Sequence, residues 1–207
     1  IFMMMSGRPG PVLVDIPDNI QREMINVESL EAFTPPPQTE HIFPNAAATK
    51  QTVLSLLAAA DRPVIVAGWG IALAGAQQEF RDFAKATGIP VVLTWGAADL
   101  LTEDDPLTIG RFGTHGMRHA NFAVQNSDLV LSLGSRLDTK STGSPVSTFA
   151  RAAKKIVVDI DSNELGKFSK FNLHIDVLIE DDIRSFFAAF TRAELGAIAR
   201  PRSDWFR

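Results

Sequence analysis

Cysteine is missing altogether from the 207 residues, and that one absence removes thiolate catalysis, Cys-type structural zinc, iron–sulfur clusters and disulfides. A reducing cytoplasm suits such a chain. Charge of one sign is also scarce: 20 Lys plus Arg stand against 24 Asp plus Glu, a formal charge of −4 spread without long blocks. Phosphate-driven binding needs a concentrated basic patch, so nucleic acid and polybasic membrane contacts are not expected. No apolar run approaches the roughly 18 residues of a membrane span, and the start lacks the charged-then-apolar layout of a secretory signal. Repeats are absent, and low complexity is confined to one proline cluster. What the chain does have is 45% hydrophobic residues, enough for a sizeable core. These traits predict a soluble domain. It begins Ile1-Phe2-Met3, as if cut from something longer.

Composition shifts twice along the chain. Residues 6–17 read S-G-R-P-G-P-V-L-V-D-I-P, a Gly/Pro cluster followed by a β-branched run that predicts a strand over residues 12–15. A lone strand is unstable by itself, and the adjacent sequence offers it no partner. From residue 19 to Pro44 apolar periodicity is lost, and Pro35-Pro36-Pro37 fixes φ and removes amide donors, which predicts an extended linker. Beyond Pro44, helical and buried-strand signals alternate in the manner of a doubly wound parallel α/β sheet. Asn45 stands as an N-cap before Val53, Leu54, Leu57 and Ala58 at helical spacing. Strands are expected over residues 64–67, 89–93, 129–133, 155–159 and 175–178. Helices are expected over 72–87, with Phe80, Phe83 and Ala84 inward and Gly88 closing it, over 117–125 and over 183–190. The strand segments are near-continuous Val/Ile/Leu runs, as burial on both faces requires.

Candidate binding residues fall at or just after the strand ends. Gly68-Trp69-Gly70 follows a strand and opens a helix, where glycines let backbone approach a phosphate. The G-x-G-x-x-G fingerprint fails at Leu73, so a plain turn and a ligand contact stay open. The run from Gly110 to Asn121 carries glycines, Arg111, Arg118, His115 and His119; cations and flexible backbone suit a phosphate or a flat ring, while a solvated polar loop is the alternative. Those histidines lie at i, i+4 spacing, but no H-E-x-x-H pattern exists and no carboxylate lies between them, which argues against a metal. Gly134 and Arg136 close another strand. Asp159 and Asp161 follow the next, either to accept ribose hydroxyls or, for Asp161, to cap a helix. No nucleophile–base pair, carboxylate pair or metal cage emerges, so no residue is assigned a catalytic or metal role.

Four segments, in order, carry a resemblance. They are residues 7–17 (G-R-P-G-P-V-L-V-D-I-P), residues 62–70 (R-P-V-I-V-A-G-W-G), the run from Gly113 to Asp138, and K-I-V-V-D-I-D-S-N-E-L-G-K at residues 155–167. Together they resemble the middle of thiamine-diphosphate-dependent enzymes of the acetolactate synthase large-subunit type. The resemblance implies a Rossmann-like, doubly wound six-stranded parallel sheet as a central domain over residues 45–192. Residues 1–22 would be the C-terminal remnant of a pyrimidine-binding domain, 23–44 a Pro-rich linker, and 193–207 a linker towards a diphosphate-binding domain. In this family the central domain can hold FAD in a largely structural role. By the match its contacts would be Arg8, Gly68, Gly70, His115, Gly116, Gly134, Arg136, Asp159 and Asp161. The sequence departs from the family at Trp69, where glycine is usual. It also departs at Arg136-Leu137-Asp138-Thr139 for R-F-D-D and at Gly113-Thr114-His115-Gly116 for G-M-H-G.

Thiamine diphosphate and Mg²⁺ would be held outside this chain, by a glutamate of the preceding domain and a G-D-G segment of the following one; no G-D-G occurs here. The implied function is a central scaffold, inactive alone, of a transferase or lyase that decarboxylates a 2-oxo acid and performs carboligation. The implied full-length protein is a cytoplasmic homodimer or homotetramer. The alternative is a stand-alone nucleotide- or FAD-binding Rossmann-like module without thiamine chemistry; a nicotinamide dehydrogenase is disfavoured by Leu73.

Overall fold

In the computed structural model, residues 1–37, 46–200 and 205 are described. They fall into two units, residues 1–40 and 41–207. The first contains short helices α1 (Phe2–Met5) and α2 (Asp18–Gln21) and a 3₁₀ turn at Val27–Ser29. The strand expected over residues 12–15 does not form. A strand exists only through a neighbour's ladder bonds, and the one sheet among the described residues is built entirely from residues 63–180, so Val12, Leu13 and Val14 remain exposed. Asn45 and residues 38–44 of the expected linker lie outside the described residues.

The second unit runs α3 (Ala46–Ala59), β1 (Pro63–Ala67), α4 (Gly70–Leu73), α5 (Gln77–Thr87), β2 (Val91–Leu93) and β3 (Thr108–Arg111). It continues with α6 (Arg118–Asn126), β4 (Leu129–Leu133), α7 (Thr139–Thr142), β5 (Lys154–Asp159), α8 (Ser162–Lys170), β6 (Val177–Glu180), α9 (Ile183–Ala188) and α10 (Arg192–Ile198). Its six-stranded sheet has the order β3-β2-β1-β4-β5-β6, every pair parallel. Alternate strand residues feed two cores. Ile65, Ala67, Leu131, Leu133, Ile156 and Val158 pack with α3, α5, α9 and α10, whereas Val64, Val66, Val130 and Val157 face α6 and α8. Both faces are covered, which is why the strand sequences do not alternate with polar residues.

Several elements differ from the sequence reading. The helix expected over 72–87 is two helices, α4 and α5, although Gly88 does close α5 in the left-handed conformation (φ 61°) and Phe80, Phe83 and Ala84 are buried. Strand β3, T-I-G-R, was not anticipated, because an edge strand with one buried position lacks the apolar run. β6 lies later than residues 175–178. The helix expected over 183–190 stops at Ala188, and α10 follows it.

Helix α10 forms where the sequence was read as a linker. Thr191 and Glu194 make a capping box, which satisfies amides that the first helical turn leaves orphaned. Glu194 also accepts from Lys50 Nζ at 2.8 Å, tying α10 to α3. The Lys50 hydrogen bond foremost, then the Thr191 amide and hydroxyl, hold the Glu194 carboxyl at about 2, below its ordinary 4.5. A carboxyl whose folded pKa is depressed stabilises fully above the unfolded value and loses that contribution as pH falls through the folded one. We expect Glu194→Gln to unfold at lower temperature than the parent near neutral pH and the gap to narrow between about 4.5 and about 2. Thermal melts across that range check it; a gap that does not narrow contradicts the clamp.

Candidate functional site

Strand order reverses between β1 and β4, and doubly wound sheets bind ligands beyond the carboxyl ends at that point. The turns leaving these strands touch backbone to backbone. Gly68 N donates to Leu133 O and Gly70 N to Gly134 O, each at 2.9 Å. A Cβ at Gly68 would stand 2.1 Å from Ser135 Cα and 2.2 Å from Gly134 O, and one at Gly70 would stand 2.8 Å from Gly134 Cα. The glycines therefore have a packing reason of their own. The intervening Trp69 is thrown outward, 56% exposed, beside Gly96, where an added Cβ would lie 3.3 Å from Trp69 Cβ. Trp95, exposed at the end of β2, meets His115 edge-on with ring centroids 5.6 Å apart.

The loop that carries His115 and Gly116 is pinned at both ends. Gly113 N donates to Asn121 Oδ1 at 2.8 Å, Asn121 Nδ2 returns a bond to Gly113 O at 3.0 Å, and Thr114 N donates to Lys140 O at 2.7 Å. A Cβ on Gly116 would lie 2.5 Å from the Phe112 backbone, so this glycine too is required by packing.

Past β4, Gly134, Arg136 and Leu137 all have positive φ, at 55°, 61° and 44°. For side chains larger than glycine such conformations cost on the order of 1–3 kcal/mol each and persist only when the surroundings hold them. Here Leu137 is buried, Arg136 Nε donates to Glu164 Oε1 at 2.7 Å, and Lys167 Nζ donates to Arg136 O. Burial pushes the Glu164 carboxyl up, but Lys167 and Arg136 outweigh it and hold it below the usual range. Arg136 remains half-exposed, with 53% of its side chain open.

Asp159 closes β5 and is buried; its Oδ1 accepts from Asp161 N at 3.1 Å. Asp161 caps α8, accepting from Asn163 N at 3.0 Å, so the capping alternative is realised. Lys155, at the opposite end of β5, is buried; burial pushes its ammonium down against Asp176, and it donates to Ala153 O at 2.8 Å. That bond is structural and far along the strand from the crevice.

The structure thus brings Gly68, Gly70, Gly134 and Arg136 together at the switch point. It sets Asp159 and Asp161 on the neighbouring strand end and His115 with Gly116 on the β2–β3 side. Arg8 is an exposed residue of the first unit. Sequence reading missed the partners that fix Arg136, Glu164 and Lys167, although their i, i+3 spacing on a helix was a usable signal. It also missed the exposure of Trp95. Chemically the crevice offers a half-exposed guanidinium able to meet an anion, carboxylates able to accept from hydroxyls, and exposed indoles able to stack on a planar ring. Among the described residues no group of three or more His, Cys, Asp or Glu side chains is placed to hold a metal, and no helix is long and apolar enough to cross a membrane.

A family model described as the thiamine pyrophosphate enzyme central domain matches residues 51–190. The chain is 44% identical over 168 residues to a probable chloroplastic acetolactate synthase 2 of Oryza sativa subsp. japonica, covering 80% of this chain and 25% of that protein. It is 39% identical over 205 residues to the acetolactate synthase large subunit of Corynebacterium glutamicum, covering 98% and 32%. It is 36% identical over 184 residues to the acetolactate synthase isozyme 2 large subunit of Escherichia coli (strain K12), covering 89% and 32%. The chain therefore spans between a quarter and a third of the length of these relatives.

Proposed function

Since the chain belongs to the thiamine pyrophosphate enzyme central-domain family, we propose that it is the middle scaffold of an acetolactate-synthase-like enzyme. That enzyme decarboxylates a 2-oxo acid and performs carboligation. The observation that carries this reading is the family match over residues 51–190, with acetolactate synthases among the curated relatives. In this reading residues 45–192 are the central domain, residues 1–22 end the pyrimidine-binding domain, 23–44 link the two, and 193–207 lead towards the diphosphate-binding domain. Thiamine diphosphate and Mg²⁺ belong to those flanking domains and supply the carbanion chemistry. The full-length protein is a cytoplasmic homodimer or homotetramer.

The part played by this chain's own residues is positional. If FAD is held here, Arg136, fixed by Glu164, would meet its phosphates, the carboxylates of Asp159 and Asp161 would accept from its hydroxyls alongside the amides they already hold, and Trp69, Trp95 and His115 would offer surface for its planar ring. The expected result is carbon dioxide release from a 2-oxo acid by the full-length protein with thiamine diphosphate and Mg²⁺ present. A full-length protein that releases none from any 2-oxo acid supplied defeats the reading. For the flavin, purified protein is expected to absorb in the visible flavin band or to bind added FAD. A colourless protein that binds neither FAD nor ADP removes that assignment and leaves the scaffold role standing.

A further inference from the structure

The turn after β4 carries a balance of charge that sets which phosphate it can take. Glu164 lies between two cations, with Oε1 2.7 Å from Arg136 Nε and Oε2 2.6 Å from Lys167 Nζ. Two cations less one carboxylate leave the triad a single positive charge.

Lys167 is the residue that ties the triad together. Its ammonium donates to the Arg136 carbonyl and to Glu164 Oε2, stands 5.3 Å from the Phe168 ring centroid, and leaves only 20% of the side chain exposed. Arg136 holds φ at 61°, a conformation that persists only while its neighbours impose it, and Lys167 grips it at the main chain. The side chain is gripped as well, because Nε is spent on Glu164. A ligand therefore meets the terminal nitrogens of a fixed guanidinium.

A phosphate esterified on both sides carries one negative charge, whereas a terminal phosphate carries close to two at neutral pH because its second ionisation falls near 6. One charge matches the triad. A second exceeds it and meets the carboxylates of Asp159, which closes β5, and Asp161, which caps α8; like charges set against each other cost affinity.

We propose that Lys167 is a positioning residue and Glu164 a specificity-determining one, which together hold Arg136 for a bridging phosphate of one negative charge and against a terminal phosphate. This selectivity rests on the FAD reading of the crevice and names the part of such a dinucleotide that Arg136 meets.

The test is calorimetric titration of the protein, freed of any bound nucleotide, with ADP-ribose and with ADP at neutral pH. Both probes contain adenosine and two phosphates; the distal phosphate is esterified in the first and terminal in the second. Glu164→Gln removes the internal counter-charge and is expected to raise the affinity for ADP relative to ADP-ribose at least about fivefold. Lys167→Met is expected to weaken both ligands about fivefold or more, and Lys167→Arg, which keeps a charged donor, to restore most of the loss. Circular dichroism checks that each variant folds, and the ratio read from Glu164→Gln needs no Lys167 variant. A packing role for Glu164 weakens both ligands alike, so an unmoved ratio overturns the assignment. So does a folded Lys167→Met that binds as the parent does, or a Lys167→Arg no better than it. Binding of neither probe by the parent up to ~10 mM overturns the selectivity and the FAD reading together; binding with an unmoved ratio overturns the selectivity alone.

Discussion

Replacing Gly68 by alanine is expected to lower stability by about 3 kcal/mol, at the upper end of ordinary overpacking. For a chain of this size that is a fall of roughly 6–12 °C in the thermal midpoint. The added methyl would lie 2.1 Å from Ser135 Cα and 2.2 Å from Gly134 O. Both obstacles are backbone, which cannot rotate aside as a side chain does. The turns must separate, and with them go the bonds from Gly68 N to Leu133 O and from Gly70 N to Gly134 O. Gly166→Ala is the control. Gly166 sits within α8 with nothing inside 4 Å of an added Cβ, and helix propensity favours alanine by up to ~1 kcal/mol. Differential scanning calorimetry of the two variants is expected to move in opposite directions; equal shifts would remove the steric argument.

The other large effect belongs to Phe83→Ala, which is expected to cost about 3–5 kcal/mol. Phe83 is 3% exposed and lies between the helices that cover one face of the sheet. Its ring centroid is 6.0 Å from Phe186, 5.4 Å from Phe187 and 5.9 Å from Phe190. Removing it leaves a void inside the aromatic cluster and takes away ring–ring contacts worth about 0.5–1.5 kcal/mol each beyond buried area. Phe83→Leu keeps most of the volume and is expected to recover more than half of the loss, read by urea unfolding. A deficit equally large in the leucine variant would mean that ring geometry, not cavity volume, dominates.

Legibility in the sequence followed burial. β1 and β4 were readable because V-I-V-A and L-V-L-S-L are buried at every position, and a parallel central strand leaves that mark. β3 left none: it pairs on one side only, and just one of its residues is buried. α10 was hidden because it is short, begins on polar partners, Thr191, Glu194 and Lys50, and gives the core only Leu195 and the partly buried Ile198. At the candidate site, position along the chain revealed which residues would stand at strand ends. It could not reveal that Gly68 and Gly70 face another turn, nor that Glu164 and Lys167 fasten Arg136, because those are contacts between distant segments. The strand expected over residues 12–15 shows the converse error, since β propensity describes a surface fit and not a backbone preference that acts without a neighbour.

The interlocked turns at Gly68, Gly70 and Gly134 also bear on how this sequence is able to drift. Each of the three lacks a side chain for the sake of another, so the positions act as one joint choice. A substitution tolerated at any of them requires the opposite turn to be rerouted first, which makes single-step exploration here a dead end. Trp69, flanked by two of these fixed points yet facing solvent, is free of that constraint. The surface of the crevice can therefore vary at Trp69 while the latch beneath it stays unaltered.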